Sequence, residues 1–147
     1  MRSPAYDVAE LLHDAGIGSQ TTRSGWRILV AKEQAYNPGL IPHTTITIYD
    51  LPGAPPDYRP GIERPAVQVR VRGAPGAANY PAAYNKAREI QAFLLDAYGV
   101  EVGGARYIMW EVESAPAPPS EQAEVDENDR PIVVATYVVQ REAAEGS

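Results

Sequence analysis

Reaction chemistry needs reactive side chains, and this chain offers few. It contains no cysteine, and its histidines are His13 and His43. That removes thiol nucleophiles, thiolate zinc sites, a disulfide framework and any histidine triad built on a thiol. His13 falls at the edge of an apolar helical stripe and His43 in a loop after Pro42, so both read as structural or solvated. Gly73, Gly76, Gly99, Gly103 and Gly104 punctuate loops, but none stands in a GxxxxGK or GxGxxG arrangement after a strand, and no phosphate cradle is implied. In DENDRP, the residues Asp126, Asn128 and Arg130 alternate as ligands of a calcium loop do. Such a loop would also require an oxygen donor near position 130, a glycine at 131 and a glutamate at 137, where Arg130, Pro131 and Tyr137 stand. The segment therefore reads as an acidic turn leading into a strand. Tyr80, Tyr84 and Tyr98 suggest a platform for stacking bases, but their helical spacing fits core packing with the hydroxyls near solvent. The expectation is a protein with no catalytic group, no metal, no cofactor and no enzymatic activity.

What remains is a pattern of charge. In RPAVQVRVRG, residues 64–73, Val67, Val69 and Val71 alternate with Gln68, Arg70 and Arg72, so an extended chain turns an aliphatic row one way and a cationic row the other. The formal net charge is -6, yet residues 1–110 hold 11 Lys and Arg against 10 Asp and Glu, whereas residues 111–147 hold 2 against 9. A net basic surface, the usual mark of a nucleic-acid reader, is therefore not expected. The arginines of the cationic row either solvate the open face of a one-sided sheet or meet carboxylates of another chain.

The elements that must carry these residues are legible from periodicity. With 147 residues, 44% of them hydrophobic and 22% charged, the chain suits one globular domain spanning 1–147. No signal peptide and no membrane-crossing run is read, so a soluble protein made in the cytoplasm is expected. Ser3 is placed as the cap of a first helix with Pro4 at its first position, Ala5, Val8, Ala9 and Leu12 on one face, and Gly16 as its stop. Strands are predicted over 26–33, 44–51 and 64–73. Tyr80 to Tyr98 follows the 3, 4 spacing of a long amphipathic helix ended by Gly99. A fourth strand, RYIMWEVE, is expected to put Ile108, Trp110 and Val112 on one face, and a fifth, PIVVATYVVQRE, is apolar on both faces as a central or interface strand is. Between them, residues 114–130 form a proline-rich acidic loop. The order α-β-β-β-α-β-β implies an α+β domain, with two helices packed on one face of a mixed, mainly antiparallel sheet of about five strands.

The succession IPHTTITIYDLPG, RPAVQVRVRG, YPAAYNKAREIQAFL, GARYIMWEVE and NDRPIVVATYVVQRE resembles the minor capsid or tail terminator proteins of long-tailed bacteriophages, in one consistent order from Gly25 to about Glu142. The resemblance implies a structural virion protein, assembled in the host cytoplasm, that caps the completed tail tube as a homo-oligomeric ring of six subunits at the head-tail junction. Its partners are then the tube protein and a head-completion or connector protein; DNA passes through without specific binding, and no membrane is involved. A closed ring needs two different complementary patches per subunit, for which Arg70, Arg72, Val133 and Tyr137 are the candidates. The carboxylates of Glu121, Glu124, Asp126 and Glu127 are candidates to face the bore, the alternative being a solvated loop on the outer rim. Competing readings are another neck component, such as a head-completion or connector protein, and a small-ligand domain or enzyme using a cavity under the main helix.

Overall fold

The computed structural model describes residues 2–53, 61–117, 125–126 and 129–143. In chain order these form α1 (Pro4–Asp14), β1 (Arg27–Val30), β2 (Thr45–Leu51), β3 (Ala66–Arg72), a short 3-10 turn at Ala77–Asn79, α2 (Tyr80–Asp96), β4 (Val100–Val102), β5 (Ala105–Ser114) and β6 (Ile132–Ala143). The strands make one sheet of six in the order β1-β2-β3-β6-β5-β4. The β1–β2 pair is parallel and the other pairs are antiparallel. The α+β class and the mixed, mainly antiparallel sheet hold as expected, with six strands rather than about five. The additional strand, β4, has three residues, too few to show a period. It is joined to β5 by Gly103 and Gly104, both at positive φ (59° and 78°), the two-residue turn whose twist matches that of the flanking strands.

Register explains the layering. Val67, Val69 and Val71 of β3 face Tyr137, Ala135 and Val133 of β6, and Val69 and Val71 face Ile48 and Ile46 of β2. Residues directly opposite share a face, so these side chains form a continuous apolar surface, and both helices lie on it in one core cluster. Helix α2 meets it through Tyr80, Ala83, Ala87, Ile90 and Leu94. The small residues let the helix approach closely: a Cβ on Gly73 would stand 3.3 Å from that of Ala83 and 2.9 Å from Pro131. Each fully buried Val, Ile or Leu contributes roughly 1.5–3 kcal/mol. Strand β6 is central, flanked by β3 and β5, which accounts for apolar residues on both its faces.

Three local expectations need correction. Ser3 precedes α1 but makes no side-chain cap hydrogen bond; instead the Ala5 N–H donates to Asp50 Oδ1 of β2 at 3.0 Å, a cap supplied from another element. Tyr98 lies beyond the end of α2 and is 70% exposed. In β5, a register shift between Tyr107 and Met109 breaks the alternation. Tyr107 and Trp110 therefore both enter the core, stacked at 5.3 Å, while Val112 is left exposed.

Candidate inter-subunit surface

The face of the sheet opposite the helices carries the cationic row. Thr47, Arg70 and Val134 lie in one line across β2, β3 and β6, and Thr45, Arg72 and Ile132 in the next. Beyond β1 Ala31 takes a φ of 66°, and the loop that follows brings Gln34, Pro42 and His43 to the Arg72 end of this face. There Arg72 donates three hydrogen bonds to that loop: Nε to the His43 carbonyl at 2.9 Å, Nη1 to that of Gln34 at 2.8 Å, and Nη2 to that of Pro42 at 3.1 Å. Arg72 is 2% exposed, whereas the sequence reading placed it on a solvent-facing row. The reason is tertiary: alternation fixes which face a residue takes, and a loop distant in sequence covers that end of the face. Burial, and then the charge of Arg130, lower the Arg72 guanidinium from its usual range. Glu33 offsets part of the cost, 3.8 Å from Arg72 Nη1 and 3.3 Å from Arg70 Nε. Arg70 keeps 27% of its side chain exposed and is the member of the pair that reaches solvent.

The other candidate residues are distributed as follows. Val133 and Tyr137 sit in the core, 1% and 0% exposed, on the helix-covered face of β6. The Tyr137 hydroxyl points at Gln91 Oε1 of α2, 3.5 Å away, and burial pushes its phenol up. The half-buried positions of β6 on the open face are Val134, Thr136, Val138, Gln140 and Glu142. Asp126 accepts from the Arg130 backbone N–H at 2.9 Å and from Arg130 Nε at 3.0 Å. The turn expected from DENDRP is thus present, built by a carboxylate folding onto the arginine that follows it. Glu121, Glu124 and Glu127 lie outside the described residues.

A second polar cluster escaped the sequence reading. Asp7, in the first turn of α1, is fully buried. It accepts from Arg2 Nε at 2.5 Å and from the Tyr107 hydroxyl, and Arg141 Nη1 stands 3.8 Å away. Arg141 also donates to the Arg2 carbonyl at 2.9 Å and to Glu63 Oε2 at 3.0 Å. Burial and then the Asp7 hydrogen bond hold the Tyr107 phenol well above its usual value. Carboxylate, phenol and guanidinium are engaged with one another, so the cluster ties the N-terminal segment to β5 and β6. In sequence Asp7 is an ordinary acid in a helix first turn, and no local signal marks the partners that meet it from the far end of the chain.

Among the described residues, no group of three or more His, Cys, Asp or Glu is placed to hold a metal ion, and no helix is long and apolar enough to cross a membrane. Comparison with curated proteins finds no match. A family model described as bacteriophage tail terminator protein matches residues 11–143, a span that begins within α1 and ends with β6 and so takes in the whole sheet, α2 and the loop that Arg72 holds. The chain belongs to the bacteriophage tail terminator family.

Proposed function

We propose that this protein closes as a ring of six subunits on the end of the completed tail tube, stops further polymerisation and offers the surface on which the filled head docks. The observation that carries the reading is the family match over residues 11–143, which makes the chain a structural component of a phage tail. The structure supports it with an open sheet face whose half-buried Val134, Thr136 and Val138 lie beside the partly exposed Arg70. That surface suits one side of a heterologous, ring-closing contact, with Arg70 meeting a carboxylate of the next subunit. Arg72, Val133 and Tyr137 would act behind it, by holding the shape of the loop and of β6. In the same reading the carboxylates of Glu121, Glu124 and Glu127 face the bore and repel passing DNA, while that of Asp126 is held by Arg130. Tail assembly from the same phage's components tests the central claim. Without this protein tubes should overrun their normal length, and adding it should restore a fixed length, with a ring visible at one end by electron microscopy. Tubes of fixed length in its absence, with the protein found elsewhere in the neck, would instead assign it to head completion or connection.

A further inference from the structure

The loop held by Arg72 walls a recess. Its volume is about 220 Å³, and it is lined by Ala35, Tyr36, His43, Pro75 and Arg130. The Tyr36 and His43 rings stack at 3.6 Å and 13° on one side, and Tyr36 is exposed at the rim. Arg130 is 4% exposed. Its Nε is bound to Asp126, but its Nη1 is buried with no hydrogen-bond partner, as is His43 Nδ1. Arg72 stands immediately behind, bound to the His43 carbonyl. Among the described residues, the carboxylates paired with Arg70, Arg72 and Arg130 around this recess are Glu33 and Asp126. Three cations therefore share two carboxylates, and burial, then Arg130 and Arg72, push the His43 imidazole down toward its neutral form.

A buried guanidinium with an unpaired N–H is costly, and its planar fork matches the paired oxygens of a carboxylate or a phosphate. The recess is several times the roughly 30 Å³ that a water occupies, enough for a carboxylate and the methylenes behind it. One surplus positive charge in a recess is a poor match for duplex DNA, which is met by broad basic surfaces. An amphipathic aromatic at the rim is what protein interfaces favour. We propose that this recess receives one carboxylate, from an Asp or Glu side chain of a second copy of this chain. The donor chemistry is abundant, since residues 111–147 hold nine Asp and Glu against two Lys and Arg. Acid of one subunit entering base of the next is a heterologous contact, so the inference rests on the ring reading for its partner but not for the recess itself.

The test is a nuclear magnetic resonance titration of the full chain, following the Arg130 Nε and His43 ring signals. Sodium acetate is the probe, with inorganic phosphate and sodium chloride run in parallel at matched ionic strength. At protein concentrations where light scattering shows monomer, acetate should shift both signals saturably with a millimolar dissociation constant, and chloride should not. Arg130→Gln should weaken the response at least tenfold. Because that variant also loses the Asp126 contact, His43→Phe, which keeps the ring stack, gives a second reading and should weaken acetate binding several-fold. Where light scattering shows assembly, the acetate response should vanish because the neighbour's carboxylate already occupies the recess. No saturable acetate shift, or phosphate binding tighter than acetate, overturns the site and leaves the ring reading standing. Acetate binding that persists unchanged in the assembly overturns the second copy as occupant. A chain that is monomeric on the tube end as well as in solution overturns the ring reading while the acetate arm still judges the recess.

Discussion

Arg72 and Arg70 are two positions apart on the same strand and face, yet their energetic roles differ. The Arg72 guanidinium serves three carbonyls of one loop and is shielded from water. Replacing it with Met should strand those carbonyls and leave Glu33 with Arg70 alone, at a cost of about 3 kcal/mol. Arg70→Met removes a half-exposed ion pair and should cost no more than about 0.5 kcal/mol. Urea denaturation of the two variants decides between this assignment and a merely solvated row, which predicts small and similar losses. The same loop carries a pH dependence. His43 has its pKa lowered below 6.5 in the folded chain, so below that pH the unfolded chain binds more protons, and stability is full above 6.5 and falls as pH drops beneath it. His43→Gln should flatten this part of the stability profile, and an unchanged slope would show that the loss arises elsewhere. Alternation in RPAVQVRVRG told which side each arginine takes. It was silent on which of them a loop some thirty residues earlier would cover, because that depends on where the chain goes after Ala31.

The β4–β5 hairpin shows how a short element positions a distant group. Gly103 and Gly104 both have positive φ, but their surroundings differ. A Cβ on Gly104 would meet open space, whereas one on Gly103 would collide with Asp7 Oδ1 and stand 2.6 Å from Arg2 Nε. Gly104→Ala should therefore cost the left-handed backbone penalty of about 1–2 kcal/mol. Gly103→Ala should cost that and a further ~1–3 kcal/mol, because the buried carboxylate must leave its partners. Thermal melts of the two variants provide the comparison; equal losses would mean that Asp7 moves aside freely. The long elements were legible because 17 residues in α2 and 12 in β6 repeat their period often enough to be read. The failures lie where period is lost. Three residues in β4 show no repeat despite the Gly-Gly turn, the bulge in β5 reverses inside and outside at Tyr107, and the true cap of α1 comes from Asp50, in another strand.

At the scale of the whole molecule, charge is unevenly distributed, and an assembly would multiply the imbalance. The fold class followed from the order of periodic segments, and the family from five stretches in one register. The number of subunits and their contacts are written in no period, since they depend on surfaces that only assembly brings together. The seven carboxylates from Glu111 to Asp129 precede the first base, Arg130. Asp126 is bound by that arginine, so of the four residues proposed to face the bore, Glu121, Glu124 and Glu127 are the ones that test the reading. If they face the bore, replacing all three with Gln removes three negative charges per subunit and eighteen from a ring of six, a change felt most at low ionic strength, where the Debye length exceeds its value of about 8 Å at physiological salt. The assembled variant should then retain short duplex DNA at low salt in a gel-shift assay and release it as salt rises, while the unmodified ring retains none. Tube-length control should be unaffected, because these residues lie in no contact with the tube in this reading. Equal, negligible retention by both rings, or a map of the assembly in which all three side chains point away from the axis, would place the acidic stretch on the outer rim, where its charge serves solubility alone.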